Sequence, residues 1–275
     1  MLHTSRLLSY AHLLQAGQTS RGLLEPQALA HGLTREDSQR VLDTMHTLAV
    51  ADGLKLIGRK MISVAQADDA QSVRVPSLGY LYEQSTDEAE DNAASLKLRG
   101  SKQLTVEPKL VFSLGSTPEP NDTLQSFQQR FDSVALAIEV LQNPFKGEQW
   151  TGEDQVCANG FHHRLVMGEA KTLSVKSRMV FDQIISNATL TLSLVNREGS
   201  QIVGFGSGRN NVDQSLQHAY ALHQRHVEAT GETPFSEGQR IAMGAWLPGK
   251  PVAAGQAWIA VMIGVDLPSL CVSFY

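Results

Sequence analysis

Cysteine and aromatic residues are both scarce in this chain of 275 residues: there are two cysteines, and Phe, Trp and Tyr together make up 6 %. Cys157 and Cys271 are too few for a disulfide framework or a zinc ribbon, so packing must hold the fold, and both are expected as buried thiols in a reducing cytosol. An excess of positive charge is also missing. The formal charge is −5 with acids and bases scattered, which leaves no broad electropositive surface for a phosphate backbone and argues against nucleic-acid binding. No apolar run approaches the ~20 residues of a membrane span. The opening MLHTSRLLSYAHLLQAGQ is interrupted by His, Ser and Gln and lacks the continuous apolar stretch of a secretion signal. The expectation is a soluble, cytoplasmic protein with no membrane partner, and neither an internal repeat nor a low-complexity segment is present.

What is present is enough apolar material, 42 % of residues, for a sizeable core. TSRLLSYAHLLQAGQ and LTREDSQRVLDTMHTLAVADG place apolar residues on one helical face each. Thr34 with Asp37 forms a capping box at the start of the second, and Asp52-Gly53 supplies its stop. From Leu54 onward the pattern changes to short strand-like runs, including LKLIGRKMISV, PSLGYLYEQ, LTVEPKLVFSLG and the hairpin TLTLSLVNREGSQIVG. The acidic and small residues 85–100 read as an exposed loop or lid. Helices first, many short strands later and one strong helix among them predict an α+β fold. Its parts are an N-terminal helical segment, 1–53, and a mixed β-roll or sandwich, 54–275, together forming one compact unit.

Two glycine- and histidine-bearing stretches need weighing. GFGSG (204–208) lies between a strand and a helix, but it lacks the G-x-G-x-x-G spacing and the acid that closes a dinucleotide fold, so it reads as a sharp turn. On the helix DQSLQHAYALHQRHVEAT, His223 and His226 share a face, which permits a metal pair, while Leu216, Ala219, Tyr220 and Leu222 read simply as packing.

The chemistry centres on KQLTVEPKLVFSLG (102–115). In a strand, Glu107 and Lys109 point to one face and Pro108 to the other. Two acids at that spacing could grip a metal. An acid and an ammonium cannot, because a charged lysine offers three donors and no lone pair.

Read in order, GRKMISV, PSLGYLYEQ, VEPKLVFSLG, ALAIEVLQNPF, CANGFHHRLVMG, GSQIVGFGSG and QRIAMGAWLPGKPVAAGQAWIAVMIGVDLPSLCVSF resemble the 2-keto-4-pentenoate hydratase / 4-oxalocrotonate decarboxylase family. That family is a branch of the fumarylacetoacetate-hydrolase-like fold, and the collinear order holds over nearly the whole chain. The resemblance implies a β-roll of the fumarylacetoacetate hydrolase C-terminal-domain type. It implies a hydratase or decarboxylase acting on a small 2-oxo or 2-hydroxydienoate acid by enolisation, and Mg²⁺ or Mn²⁺ held by an E-x-E pair and a later acid. Those positions here are Glu107, Lys109 and Glu139, so the middle ligand is a lysine.

Between two carboxylates Lys109 stays charged, occupies the metal's place and excludes it. Counting these groups alone, three carboxylates with a dication and two carboxylates with an ammonium both leave −1. Lys60 matches the family's acid/base lysine, although Ile62 stands where a glycine is usual, and Glu83-Gln84 match an acidic pair of which one member is an amide. Leu78, Asn159, His162 and Arg164 match substrate-binding positions. A homo-oligomer is implied as well. Two alternatives stay open: a non-catalytic relative keeping the fold as a binding or structural protein, and an acylpyruvate-type C–C hydrolase.

Overall fold

The computed structural model describes residues 4–19, 22–64, 75–98, 104–147, 149–244 and 246–275. Three helices come first: α1 (Thr4–Thr19), α2 (Ala28–His31) and α3 (Arg35–Ala51). The Thr34 hydroxyl accepts from the Asp37 backbone N–H and Asp37 accepts from the Thr34 backbone N–H, so the capping box forms as the spacing predicts. Leu7, Tyr10, Leu14, Val41 and Met45 join the two long helices to Phe145, Cys157 and Phe161 in one apolar cluster.

Strands β1 (Leu56–Val64), β2 (Val75–Tyr82), β3 (Thr86–Glu88) and β4 (Ala93–Leu96) follow, then the long β5 (Leu104–Leu114). The next elements are α4 (Leu124–Gln129), β6 (Phe131–Gln142), α5 (Gly152–Cys157), β7 (His162–Met167), β8 (Lys171–Thr172), α6 (Val175–Met179) and α7 (Phe181–Ser186). A hairpin of β9 (Thr189–Asn196) and β10 (Gly199–Ser207) runs into α8 (Gly208–Thr230), and β11 (Arg240–Met243), β12 (Lys250–Pro251), β13 (Ala257–Ile263) and β14 (Leu270–Phe274) complete the chain.

The strands form two mixed sheets. The larger has the order β2-β1-β11-β5-β6-β7-β3, with β12 and β8 paired to β5 and β6; the smaller has the order β10-β9-β13-β14-β4. One face of the large sheet, with Val106, Leu110, Phe112, Leu136 and Ile138, packs with Leu190, Leu192, Trp258 and Val272 of the small sheet into the main core. Its other face carries Val111, Ala135, Ala137, Leu165 and Ala242 as a separate cluster. The α+β expectation with a rolled sheet matches this arrangement.

Two local expectations are corrected and one open reading is narrowed. Part of the stretch read as a loop or lid is β3 and β4, which pair in parallel with β7 and β14. Such pairing is non-local, so short polar strands carry little signal in their own residues. GFGSG is the end of a strand continuing into a helix, and Gly208 is needed because a Cβ there would lie 1.7 Å from the Ile185 carbonyl oxygen. His223 is not a metal ligand: its Nε2 donates to the Glu119 carbonyl oxygen at 3.0 Å, its Nδ1 lies 3.2 Å from Thr233 Oγ1, and its ring stacks on Phe127.

Candidate active site

Pairing of four strands brings the charged residues together. Glu107 lies opposite Glu139 and Lys109 opposite Ala137 in the β5–β6 ladder, so alternation puts all three ionisable side chains on one face. Ala242 of β11 bridges Val111 of β5 to Lys60 of β1, which sets Lys60 on that same face. Small residues there, Ala135, Ala137 and Ala242, leave room for the long side chains.

Lys60 Nζ is ion-paired with Glu139 Oε1 and lies 3.4 Å from the Gly160 carbonyl oxygen. Lys109 Nζ donates to Glu107 Oε2 at 2.8 Å and to the Gly244 carbonyl at 2.6 Å. It stands 3.3 Å from Glu139 Oε2 without hydrogen-bond alignment, and this oxygen is buried with no donor among the described residues. His162 completes the group, with Nδ1 2.8 Å from Glu139 Oε1 and Nε2 3.0 Å from Ser85 Oγ. A carboxylate only accepts, which assigns the ring proton to Nδ1 and makes the Ser85 hydroxyl a donor to Nε2. Lys60, Lys109 and Glu139 are 3 %, 5 % and 1 % exposed, so these charges meet one another rather than water. Ser85, Asn159 and His162 also line a cavity of about 140 Å³ beside the cluster, while Lys60, Lys109 and Glu139 are not among its lining residues.

The two lysines are driven apart. Burial is the largest influence on Lys60 and lowers its pKa despite Glu139. Burial also opposes the charge on Lys109, but Glu107 and Glu139 together outweigh it and raise the pKa. For Glu139, burial is overcome by Lys60, Lys109 and His162, which hold the carboxyl well below the usual range. His162 is pushed down by burial and stays neutral. With Lys60 included, two carboxylates face two ammoniums, and the cluster is neutral.

These residues do not fit a divalent cation. The Lys109 ammonium stands within hydrogen-bond or ion-pair distance of both carboxylates that the resemblance assigns as metal ligands, and it has no lone pair to offer. Among the described residues, no group of three or more His, Cys, Asp or Glu side chains is placed to hold a metal.

The other sequence-derived candidates divide into two sets. Asn159 adjoins the cluster but holds backbone: its side chain accepts from Tyr80 N–H and donates to Tyr80 C=O, both at 2.9 Å. Leu78 is buried on β2, opposite Met61. Glu83 does not join the group; it is exposed and paired with Lys55 at 3.3 Å. Arg164 does not join either, because a bulge at His163 puts His162 on the Glu139 face and Arg164 on the opposite one, where it pairs with Asp87.

Sequence reasoning missed Gly79, Ser85, Gly160 and Gly244. A Cβ on Gly79 would lie 2.4 Å from Asn159 Oδ1 and 2.7 Å from Lys60 Cγ, so glycine lets these side chains approach β2. Asn159, Gly160 and Phe161 all have positive φ, a left-handed turn that aims the Gly160 carbonyl at Lys60. The Asn-Gly pair at 159–160 was the available signal for that turn.

No protein-family model matches the chain. The 2-hydroxyhexa-2,4-dienoate hydratase of Comamonas testosteroni is 26 % identical over 241 residues, covering 86 % of each chain. The 4-oxalocrotonate decarboxylase of Pseudomonas putida G7, solved with magnesium and adipate, superposes with a TM-score of 0.83 at 18 % identity over 100 % of this chain and 99 % of that one. Fumarylpyruvate hydrolase from Pseudomonas aeruginosa, solved with Mn²⁺ and pyruvate, gives 0.54 at 14 % identity over 79 % of this chain and 89 % of its own. Divalent ions are thus bound in these structural neighbours.

Proposed function

We propose that the chain is a member of the 2-keto-4-pentenoate hydratase / 4-oxalocrotonate decarboxylase family, whose fumarylacetoacetate-hydrolase-like fold it shares, and that it is a lyase-type enzyme that interconverts the enol and keto forms of a small 2-oxo acid with Lys109 in place of the metal ion. The observation that carries this reading is the pair of buried lysines on Glu139, one anchored by Glu107 and the Gly244 carbonyl and the other held by Glu139 itself. Lys109 is anchored by Glu107 and the Gly244 carbonyl and acts as a resident cation, while its remaining N–H and the donor-less Glu139 Oε2 offer a donor and an acceptor to one enol hydroxyl.

Lys60 is the acid/base. Its ammonium gives a proton to the substrate carbon as the enol collapses to the ketone. The hydroxyl proton passes to Glu139 Oε2, and release of that proton together with uptake of one by the neutral Lys60 amine restores both groups for the next turnover. Protons balance, and burial, which lowers the pKa of Lys60, makes its ammonium a readier proton donor. A positioned ammonium stabilises developing enolate charge less than a dication would, so turnover is expected to be slow for this family.

A second reading, a non-catalytic relative, draws on the mutual neutralisation of two carboxylates and two ammoniums in a buried site. The acylpyruvate hydrolase reading needs a metal and an activated water, and Lys109 stands against both.

Calorimetric titration with oxalate, in the presence and absence of Mg²⁺ or Mn²⁺, separates these. The enzyme reading expects wild type to bind oxalate without metal and to ketonise a 2-hydroxydienoate in EDTA, with Lys60→Met slowing that step by roughly 10²–10⁴-fold. Lys109→Glu is expected to acquire Mn²⁺ binding. Metal uptake by wild type with oxalate would overturn the resident-cation reading; neither oxalate binding nor turnover would leave the non-catalytic one.

A further inference from the structure

The cavity of about 140 Å³ beside the charged cluster lies against α1, α3 and the end of β6. Leu14, Leu42, Met45, Ala49, Leu54 and Pro144 supply its apolar lining. Charged residues make up 19 % of the chain, yet among the described residues no Lys, Arg, Asp or Glu side chain lines this space. Most of its polar groups are spent on one another or on backbone. His46 Nδ1 meets the Tyr82 hydroxyl at 3.0 Å, the Ser85 hydroxyl donates to His162 Nε2, Asn159 holds the Tyr80 backbone, and Gln15 donates to Asp52 at 2.6 Å. Gln142, the last residue of β6, differs: its side-chain amide has no hydrogen-bond partner among the described residues.

We propose that this cavity is a binding site for a small uncharged aromatic alcohol, a ligand of the size and chemistry of phenol, separate from the 2-oxo acid site. Size is the first argument: an apolar cavity of ~150 Å³ holds one benzene ring. Charge is the second. A carboxylate or an ammonium entering here would give up its water and find no counter-charge, a cost that contact with apolar walls does not offset. The Gln142 amide argues in turn against a wholly apolar ligand, which would strip its water and return no hydrogen bond. A hydroxyl answers that need, because it can donate to the amide oxygen or accept from the amide nitrogen. The Ser85 oxygen, having given its proton to His162, also keeps lone pairs for a hydroxyl donor. An aromatic body suits the neighbours, which are the Met45 thioether and the rings of His46, Tyr82 and His162. Nothing in this reading depends on turnover at Lys60 or Lys109.

Calorimetric titration of the full chain with phenol tests this, with benzoate as the same ring carrying a charge and benzene as the ring without its hydroxyl. Wild type is expected to bind one phenol with a Kd of about 0.1–1 mM, within the limit on affinity per ligand atom. Benzoate should bind at least about tenfold more weakly. Ala49→Leu, which fills the cavity, should weaken phenol binding at least about tenfold. Gln142→Leu should weaken phenol by roughly threefold to tenfold and leave benzene unchanged. Saturating oxalate should leave the phenol isotherm unmoved, so failure of the 2-oxo acid reading would not disturb this result. Circular dichroism establishes that the variants are folded, and if Ala49→Leu is not, Gln142→Leu decides. The proposal is overturned if wild type shows no saturable phenol binding, if benzoate binds as tightly, or if oxalate displaces phenol. It is overturned equally if folded Ala49→Leu or Gln142→Leu binds phenol as wild type does.

Discussion

Glu139 meets three partners, Lys60, Lys109 and His162, through two carboxylate oxygens, so its loss disturbs more than one pair. Glu139→Gln keeps the shape and removes the charge, leaving two buried ammoniums with only Glu107 as counter-charge. Breaking a buried ion pair from one side costs about 3–5 kcal/mol, and urea unfolding of this variant is expected to show a loss in that range. Adding Lys60→Met to Glu139→Gln removes the stranded cation, so the double variant should lose less than the sum of the two singles; additive losses would mean that the pair is not coupled. At this scale much of the site was legible: Glu107 and Lys109 are two residues apart on a strand, and period-two alternation alone puts them together. Which histidine of the pair 162–163 faces the acids was not, because it depends on a bulge against β6 that local residues do not announce.

At the scale of elements, the site is held by the close meeting of β1, β2 and the turn 159–161. Gly79 faces Lys60 across the β1–β2 ladder, and its missing side chain is what lets Asn159 reach the Tyr80 backbone. An alanine in a strand ordinarily adds stability, but here its methyl meets atoms closer than contact distance, and overpacking costs about 1–3 kcal/mol. Gly79→Ala is therefore expected to lower the midpoint of urea unfolding and to displace Lys60. Gly22→Ala, with nothing within 4 Å of its added Cβ, should be near neutral. Equal stability of the two variants would remove this account of Gly79. The helices were readable because a capping box and an apolar face are local signals, and the long strands because of their composition. Strands β3 and β4 were not, since their residues are polar and their partners lie far along the chain.

For the molecule as a whole, acid sensitivity follows from histidines that the fold keeps neutral. His46, His162, His218, His223 and His226 all have pKa values lowered first by burial. His223 lies wholly inside the packing of α8 against Phe127 and Phe235, donating to the Glu119 carbonyl oxygen, with Thr233 at its other nitrogen. Sequence reading saw only that it shares a face with His226, because its acceptor, Glu119, is remote in sequence and only the tertiary fold brings the two together. The folded chain binds its proton less readily than the unfolded chain, whose ordinary value is about 6.5. Its contribution is thus complete above that pH and is lost as pH falls toward the depressed folded value, a window in which the unfolded state takes up more protons. Unfolding free energy measured from pH 8 to pH 5 should therefore decline on the acid side. His223→Gln keeps a donor for the Glu119 carbonyl but cannot titrate, so its decline over that window should be shallower than that of wild type. An unchanged slope in the variant would shift the origin of the acid sensitivity to the other four histidines.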